Sequence, residues 1–321
     1  MFRNEKKIIL PAVVTILLLA VLLSQIDIRD ILLVISSISP IYVLFGFILY
    51  SISYLLRTLR FDILLEERVG IKDLFSIVCI HNMSNNLFPA RTGEFSYVYL
   101  LKKVEKIQTS EGIATLMLAR IFDFISIFLL FFISTLMVKD LPLIVSNAIL
   151  GVTLLLALVV LFLISSLYYG DKLVKIVKDF CSKLGLMKFH LMELLLEKMG
   201  EAVNCFNSIR SKNTILYSLI FSIFIWSSLY SMNYVLLKGM NMNIDLWIVI
   251  LGSTFSIFTT ILPIQSIGGF GTMEGAWAIS FISLGIPKGM AIASGFGVHI
   301  VLFLYFLIWG FFGILRIRKK S

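Results

Sequence analysis

Long apolar stretches with short polar interruptions make up most of the chain. The longest apolar stretches cover residues 8–23, 39–56, 112–138, 142–167, 214–237 and 287–315. Each is close to the roughly 20 residues that an α-helix needs to cross a bilayer. Because their apolar residues do not alternate with polar ones, the pattern favours membrane helices over the strands of a β-barrel. We therefore predict six full transmembrane helices.

Two further apolar segments are broken in the middle by proline and glycine. Residues 73–101 are interrupted at Pro89 and Gly93, and residues 245–286 are interrupted at Pro263 and at the glycines that follow it. A break of this kind is tolerated at membrane depth only where protein or a wet cavity covers it. The fold class predicted is an all-α polytopic membrane protein with two re-entrant helical hairpins, or eight to ten hydrophobic segments if the hairpins are pairs of spans.

The two broken segments resemble each other, which predicts an internal repeat over residues 39–138 and 214–315. The alignment pairs Pro89 with Pro263, Glu94 with Glu274, and Arg120 with His299. The first copy enters its hairpin from the cytoplasm and the second from outside, so the repeat is predicted to be inverted. In transporters, such repeats place the substrate near the midplane, between broken helices.

The distribution of charged residues predicts how the chain is oriented in the membrane and which class of protein it belongs to. The chain of 321 residues is 59% hydrophobic with a net charge of +9, and its basic clusters lie between spans, as cytoplasmic flanks do. We expect one integral domain over residues 1–321 in the cell membrane, with both termini cytoplasmic and no nucleic-acid partner. The polar segment 171–212 has apolar residues at helical spacing among lysines, which predicts an amphipathic helix on an anionic leaflet.

Charged residues inside apolar helices are the candidate site, because a buried charge in lipid is costly and is retained mainly for function. Arg91 and Glu94 lie three residues apart, as do Arg120 and Asp123. Arginine binds two phosphate oxygens at once, so one interpretation is that Arg91 receives a phosphate that Glu94 orients. The alternative is that both are structural ion pairs.

The second half offers a different kind of anion site. Its expected substrate-binding residues are the glycines Gly268, Gly269 and Gly271 with Glu274 and His299, and Asn86 joins them from the first half. Backbone N–H groups of a glycine turn before a helix can bind an anion, although close helix packing also selects small residues. Arg57 and Arg60 are expected to be headgroup anchors at the membrane interface.

The sequence shows no recognisable catalytic motif. There is no Ser/His/Asp set, no phosphate-binding loop and no metal-ligand spacing, and the three cysteines lack a CxxC pair. The carboxylates Glu94, Asp123 and Glu274 are of the type used in acid/base chemistry, but no nucleophile accompanies them. We therefore expect no cofactor and no metal, and favour a transporter over an enzyme.

Four motifs in order resemble a known family from the second span to the last. They are R-x-x-R at 57–60, N-x-x-P-x-R-x-G-E at 86–94, R-x-x-D at 120–123 and G-G-x-G-x-x-E at 268–274. They resemble the transmembrane domain of lysylphosphatidylglycerol synthases, which also occurs as stand-alone flippase-like membrane proteins. The soluble domain that makes the aminoacyl lipid is not in these 321 residues. The sequence departs from the family at His299, where Arg is expected, and at Ile267, where Pro is common.

The resemblance implies a flippase that moves an anionic or aminoacylated phospholipid, or a polyprenyl-phosphate-linked lipid, between leaflets. Two alternatives remain open at this point. One is a membrane-embedded transferase or hydrolase that acts on a lipid-linked group. The other is a membrane partner that anchors a separately encoded lipid- or glycan-modifying enzyme.

Overall fold

The computed structural model describes residues 15–88, 93–139, 212–261 and 266–318, together with short stretches between 146 and 182. Every regular element in these residues is helical, and residues 15–23 form a helical segment that precedes the named helices. The named helices are α1 (Ile28–Ser37), α2 (Pro40–Leu64), α3 (Ile71–Leu87), α4 (Glu94–Glu105), α5 (Thr109–Met137), α6 (Lys212–Gly239), α7 (Leu246–Ile261), α8 (Thr272–Ser283) and α9 (Lys288–Arg318).

Four helices among the described residues are long and apolar enough to cross a membrane. They are α2, α5, α6 and α9, and each coincides with one of the predicted spans. The other two predicted spans, residues 8–23 and 142–167, lie partly outside the described residues. Pro89, Arg91, Pro263 and most of the predicted amphipathic loop 171–212 also lie outside them.

The broken segments form short helices, as their interruptions predict. Helices α3 and α4 have 17 and 12 residues, and α7 and α8 have 16 and 12. At the first break, the backbone of Gly93 passes so close to α3 that an added Cβ would lie 2.2 Å from the Ser84 carbonyl carbon. Only glycine fits there, so this residue sets how closely α4 folds back onto α3.

Helix α2 extends further than its hydropathy predicts. The apolar run ends at Leu56, yet the helix continues to Leu64 and therefore contains Arg57 and Arg60. The extra turns are possible because Arg60 finds a carboxylate partner inside the bundle, described below. Arg60, for which the sequence predicts a headgroup-anchoring role at the membrane interface, has a side chain that is only 1% exposed in the bundle.

Helices α2 and α6 pack side by side in antiparallel orientation. Gly46, near the start of α2, faces Leu236 near the end of α6, and Tyr42 packs on Gly239. The far end of α2 instead meets the first half of α6, where Arg60 contacts Ser222. These contacts run along most of the length of both helices.

Helix α3 lies against α9 through glycines, again antiparallel. A Cβ on Gly310 would lie 2.2 Å from the sulfur of Met83, and one on Gly313 would lie 2.7 Å from the carbonyl oxygen of Ser76. Small residues at a helix interface allow such close backbone approach in membranes. The interrupted helix of the first half is thus held against the last long helix of the second half.

We expect Gly313→Ala to lower stability by about 1–3 kcal/mol, because the added methyl group overpacks a backbone contact. The measurement is thermal unfolding of the purified protein in detergent. Gly289→Ala in the same helix is the matched control, because no atom lies within 4 Å of a Cβ built there. Equal unfolding temperatures for the two variants would contradict the close packing of α3 on α9.

Candidate functional site

A buried ion pair lies at the centre of the bundle and connects three long helices. Nη1 of Arg60 on α2 donates to Oδ1 of Asp123 on α5 at 2.6 Å and to Oγ of Ser222 on α6 at 2.6 Å. Nε1 of Trp226 donates to the same carboxylate oxygen at 3.0 Å. Arg60 and Asp123 are 1% and 4% exposed, and Asp123 lies fourteen residues from each end of α5 (Thr109–Met137). These charges are therefore held midway along a helix that is long enough to span a membrane.

A second ion pair connects the interrupted helix pair to the same long helix. Nη2 of Arg120 on α5 donates to Oε1 of Glu94, the first residue of α4, at 2.8 Å. Both side chains are partly exposed, at 27% and 29%. Arg120 thus pairs with Glu94, and Asp123 pairs with Arg60, although the three-residue spacing of Arg120 and Asp123 made a mutual pair possible.

A small cavity lies between these two ion pairs. It is lined by Arg57, Arg60, Phe61, His81, Asn82, Leu116, Ala119, Arg120 and Asp123. Its volume of about 10 Å³ for water-sized molecules is enough for about one water. The lining therefore comes from α2, α3 and α5, with α4 closing over it through the pair of Glu94 with Arg120.

Several nitrogen atoms around this cavity have no hydrogen-bond partner among the described residues. They are Nε of Arg60, Nε of Arg120, Nδ1 of His81 and Nδ2 of Asn82, and all four are buried. A buried polar group that lacks a partner costs about 1–3 kcal/mol. Four buried nitrogens without a partner among the described residues thus surround a cavity with room for about one water.

Arg57 adds a charge that the described residues do not neutralise. It lines the cavity and is half-buried, and it has no hydrogen bond or ion pair with any residue that the structure describes. Asp123, Arg60 and Arg120 are close enough to interact with its charge. With Arg57, Arg60 and Arg120 against Glu94 and Asp123, the cluster carries one more guanidinium group than carboxylate groups.

His81 is part of this cluster, although sequence reasoning did not assign it to the site. It lies on α3, is 4% exposed, hydrogen-bonds to the backbone of Gly93 and packs against the ring of Tyr97 at 5.5 Å. Asn82, Ser222 and Trp226 were also missed. The signal that was present was the run of polar residues in an apolar segment, His81-Asn82 and Asn85-Asn86.

The second interrupted segment contains a separate polar site. Nδ1 of His299 on α9 lies 2.7 Å from Oε1 of Glu274 on α8, and Nε2 lies 3.0 Å from the carbonyl oxygen of Gly268. The other carboxylate oxygen of Glu274 accepts from the N–H of Gly271 at 2.7 Å. Glu274 is 0% and His299 2% exposed, so this triad is enclosed by protein.

The glycines form a turn of positive φ that leads into α8. Gly268, Gly269 and Gly271 have φ values of 63°, 78° and 86°, which side-chain-bearing residues rarely adopt. The sequence predicts that this turn binds an external anion. In the structure, the N–H of Gly271 donates instead to Glu274, and the N–H of Gly269 donates to the Ser266 carbonyl at 3.1 Å. Two of its N–H groups are therefore used by the protein itself.

The two polar sites share a common layout. In the first, Glu94 pairs with Arg120, and the Tyr97 hydroxyl lies 3.4 Å from that of Thr115. In the second, Glu274 pairs with His299, and Nε1 of Trp277 donates to Ser294 at 3.2 Å. Each aromatic residue follows its carboxylate by three positions, and each hydroxyl residue precedes the partner of that carboxylate, Arg120 or His299, by five.

The remaining predicted site residue of the first half has a local role. The side-chain nitrogen of Asn86 donates to the Asn82 carbonyl oxygen, one turn earlier in α3, at 2.8 Å. Arg91 lies outside the described residues. Among the described residues, no group of three or more His, Cys, Asp or Glu side chains is arranged to hold a metal ion.

One family model matches this chain over nearly its whole length. The family model described as "Lysylphosphatidylglycerol synthase TM region" matches residues 8–310. The UPF0104 membrane protein PH1989 of Pyrococcus horikoshii is 24% identical over 270 residues, which are 78% of this chain and 80% of that protein. No solved structure matches this chain.

A second relative is larger. Glycosyltransferase AglD of Haloferax volcanii is 29% identical over 124 residues, or 37% of this chain, and the match covers 20% of that protein. The chain thus spans about a fifth of the length of that relative. The four long apolar helices agree with a membrane protein, and with a family model matching residues 8–310, the chain belongs to the lysylphosphatidylglycerol synthase transmembrane-region family.

Proposed function

We propose that this protein moves lipids with an anionic headgroup between the leaflets of the cell membrane. The observation that carries the proposal is the buried cluster around Arg57, in which guanidinium groups outnumber carboxylates and several nitrogens lack partners. A phosphate group would accept from the unpartnered N–H groups of the arginines and Asn82 and balance the extra charge, since planar guanidinium groups suit phosphate oxygens. The acyl chains would stay in the lipid phase.

The proposed mechanism uses an inverted repeat, which the helix lengths support. Helices α2 to α5 have 25, 17, 12 and 29 residues, and α6 to α9 have 28, 16, 12 and 31. Arg120 lies eleven residues after Thr109, the first residue of α5, and His299 lies eleven after Lys288, the first of α9. The corresponding carboxylates stand in the first turn of α4 and α8.

The helix contacts support the same interpretation. Helix α3 packs on α9, and its counterpart α7 packs on α5, the counterpart of α9. Helices α2 and α6, which correspond to each other, are antiparallel, as an inverted copy requires. In repeats of this type, rocking of one half against the other exposes a central site to each side in turn. The cavity between α2, α3 and α5 is where we expect the headgroup to bind.

The cavity is too small for a whole phosphate in this conformation. A headgroup would therefore need Glu94 to move away from Arg120, which frees a second guanidinium group for the ligand. This pair is partly exposed, whereas Arg60 and Asp123 are almost completely buried. We infer that Arg57 and Arg120 bind the headgroup, while the pair of Arg60 with Asp123 keeps the three long helices in register.

Chemistry on a lipid-linked group is the second candidate, because one relative bears the name of a glycosyltransferase. The matched residues cover 20% of that relative. Transfer would require a nucleophile or an activated donor near Glu94. The polar lining of the cavity consists of arginines, His81, Asn82 and Asp123, and the Asp123 carboxylate is already paired with Arg60. A third candidate is a membrane partner for a separately encoded lipid- or glycan-modifying enzyme, docked on the basic segment 171–212.

The test is lipid movement in proteoliposomes that contain the purified protein. We expect a fluorescent phosphatidylglycerol to reach the opposite leaflet roughly tenfold faster than a fluorescent phosphatidylcholine with the same acyl chains, which corresponds to about 1.4 kcal/mol. Protein-free liposomes give the background rate. The assay is run with and without pH and voltage gradients across the membrane.

The same samples distinguish the alternatives. Mass spectrometry of the lipids after incubation, with and without cytosolic donor compounds, would reveal a covalently changed lipid if the protein is an enzyme. If both fluorescent lipids move at the protein-free rate under every gradient, and lipid chemistry is unchanged, the translocation proposal is wrong and the anchoring role gains support.

A further inference from the structure

The hydrogen-bond partners of His299 determine how many protons the pair of His299 and Glu274 must hold. The Gly268 carbonyl oxygen can only accept, so Nε2 of His299, 3.0 Å away, must carry a hydrogen. On the other side of the ring, Nδ1 lies 2.7 Å from Oε1 of Glu274. If Glu274 were ionised and His299 neutral, two lone pairs would face each other across this distance.

A hydrogen must therefore lie between Nδ1 and the carboxyl oxygen. It belongs to either the imidazolium or the carboxylic acid, and in both cases the pair has no net charge and holds one proton more than an ionised Glu274 with a neutral His299. Neutrality also suits the location, because an uncompensated charge in a site as buried as this one is very costly. The closed triad is thus a site with one bound proton.

We propose that the Glu274–His299 pair is a proton-binding site, and that H⁺ is the ion whose binding and release are coupled to lipid movement. This inference rests on the proposed function for its coupling, but the proton-binding site itself is carried by the geometry of the triad. Proton binding adds one H⁺ to the separated carboxylate of Glu274 and neutral imidazole of His299, and so closes the contact between them. Release returns H⁺ to water and leaves a carboxylate and a neutral imidazole, which then repel across the former hydrogen bond.

The corresponding pair in the first half cannot do this. Glu94 pairs with Arg120, and the guanidinium group stays protonated in proteins. The two polar pairs therefore differ in chemistry: the partner of Glu94 is an arginine, which keeps its proton, and the partner of Glu274 is an imidazole, which can bind or release one. The departure from the expected arginine at His299 is what makes the second half sensitive to protons.

Release of the proton would act on the backbone as well. Glu274 also accepts from the N–H of Gly271 and so caps the start of α8. The ring of His299 packs against Phe270 at 4.5 Å, and it holds the Gly268 carbonyl in the turn. Separation of Glu274 from His299 would loosen this turn, which contacts α3 of the first half.

No other titratable group shares the triad among the described residues. Neither His299 nor Glu274 forms a hydrogen bond or ion pair with any other charged side chain described in the structure, and α7 carries no titratable side chain at all. The titratable or charged residues on the other packed elements, among the side chains that the structure describes, are Arg29 and Asp30 on α1, Tyr42, Tyr50, Tyr54, Arg57, Arg60 and Asp62 on α2, Lys72, Asp73, Cys79 and His81 on α3, Tyr217, Tyr230, Tyr234 and Lys238 on α6, and Lys288, Tyr305, Arg316 and Arg318 on α9.

Nitrogen NMR of histidine-labelled protein in nanodiscs tests the bound proton directly. The chain has three histidines, so a His190→Gln background and comparison with His299→Gln identify the signals of His299. At pH 7 we expect a hydrogen on Nε2 and a hydrogen-bonded proton at Nδ1 that is lost in Glu274→Gln. A bare Nδ1 with no proton in the contact, unchanged in Glu274→Gln, would overturn the proton-binding site.

Lipid transport under a pH gradient tests whether proton binding is coupled to lipid movement. With one proton per lipid, a gradient of one pH unit changes the steady-state ratio of lipid between leaflets by up to about tenfold. We expect this response in the wild type and its loss in Glu274→Gln. Ser294→Ala is the matched control, since it removes the neighbouring bond to Trp277 without removing a proton, and it should keep the response.

The outcomes separate the two proposals. If the wild type moves lipid but the ratio of lipid between leaflets does not change with the pH gradient, the proposed coupling is wrong and the proposed function stands. A response that persists in Glu274→Gln would overturn the assignment to this pair. Absence of lipid movement under every gradient would overturn the proposed function and the coupling, while the NMR result would still decide whether the pair binds a proton.

Discussion

Replacement of Asp123 by alanine is expected to destabilise the protein by about 3–5 kcal/mol, because it leaves a buried arginine without its counter-charge. Arg60 is 1% exposed and donates to Asp123 at 2.6 Å. After the substitution, its remaining described hydrogen-bond partner is the Ser222 hydroxyl. Thermal unfolding in detergent should show a strongly lowered transition temperature.

A double variant and a control pair make this expectation specific. Replacing Arg60 by methionine together with Asp123 by leucine should recover most of the lost stability, since apolar residues of similar volume can replace a buried pair. The exposed pair of Arg68 and Glu111 is the control, and Glu111→Ala should cost about 1 kcal/mol or less. Equal effects of Asp123→Ala and Glu111→Ala would contradict a buried central pair.

Replacement of Arg57 by glutamine is expected to slow translocation of the anionic lipid at least tenfold while leaving the fold intact. A hydrogen bond to a charged group contributes about 1.5–3 kcal/mol, which is roughly ten- to hundredfold. Arg57 has no hydrogen bond or ion pair among the described residues, so its loss removes no described internal contact of this kind. The measurement is the proteoliposome assay with fluorescent phosphatidylglycerol, at matched protein density.

Arg316→Gln is the matched control for this variant. Arg316 is also an arginine on a long helix without an ion pair among the described residues, but it lines an apolar groove between α2, α3 and α9 instead of the polar cavity. The control should move lipid at the wild-type rate. If Arg57→Gln and Arg316→Gln behave alike, Arg57 does not bind the headgroup.

The pairs of Glu94 with Arg120 and of Glu274 with His299 show how much of the candidate site can be predicted from the sequence. Periodicity and the breaks at proline and glycine predicted six long spans, of which four are long apolar helices in the described residues, and the short helices of the two broken segments. Alignment of the halves placed Glu94 opposite Glu274 and Arg120 opposite His299. In the structure Glu94 pairs with Arg120, and Glu274 pairs with His299, so each contact joins residues of the same half. The inverted repeat and the hairpin depth stay predictions.

The central cavity could not be read from the sequence, for a physical reason. Arg60 and Asp123 are 63 residues apart, and only the packing of α2 against α5 shows that they meet. Without that partner, Arg57 and Arg60 have the pattern of the polar end of a span, so the sequence predicts a span that ends at Leu56. Apolar runs predict where a helix can tolerate lipid, but they do not reveal where a buried charge finds its counter-charge.

The glycine turn shows a second limit of sequence reasoning. Gly268, Gly269 and Gly271 have the spacing of an anion-binding turn, and the following Glu274 is compatible with either a ligand or a cap. In the structure Glu274 occupies the N–H of Gly271 and pairs with His299. Whether a turn of this type binds an external anion depends on the rotamer of one side chain, which no spacing specifies.

An experimental structure determined with bound anionic phospholipid tests the central claim most directly. We expect the phosphate of one lipid to lie between α2, α3 and α5, within hydrogen-bond distance of Arg57 and Asn82, with Glu94 moved away from Arg120. Lipid phosphates found only at the membrane surfaces, with water alone between the arginines, would contradict the proposed headgroup site.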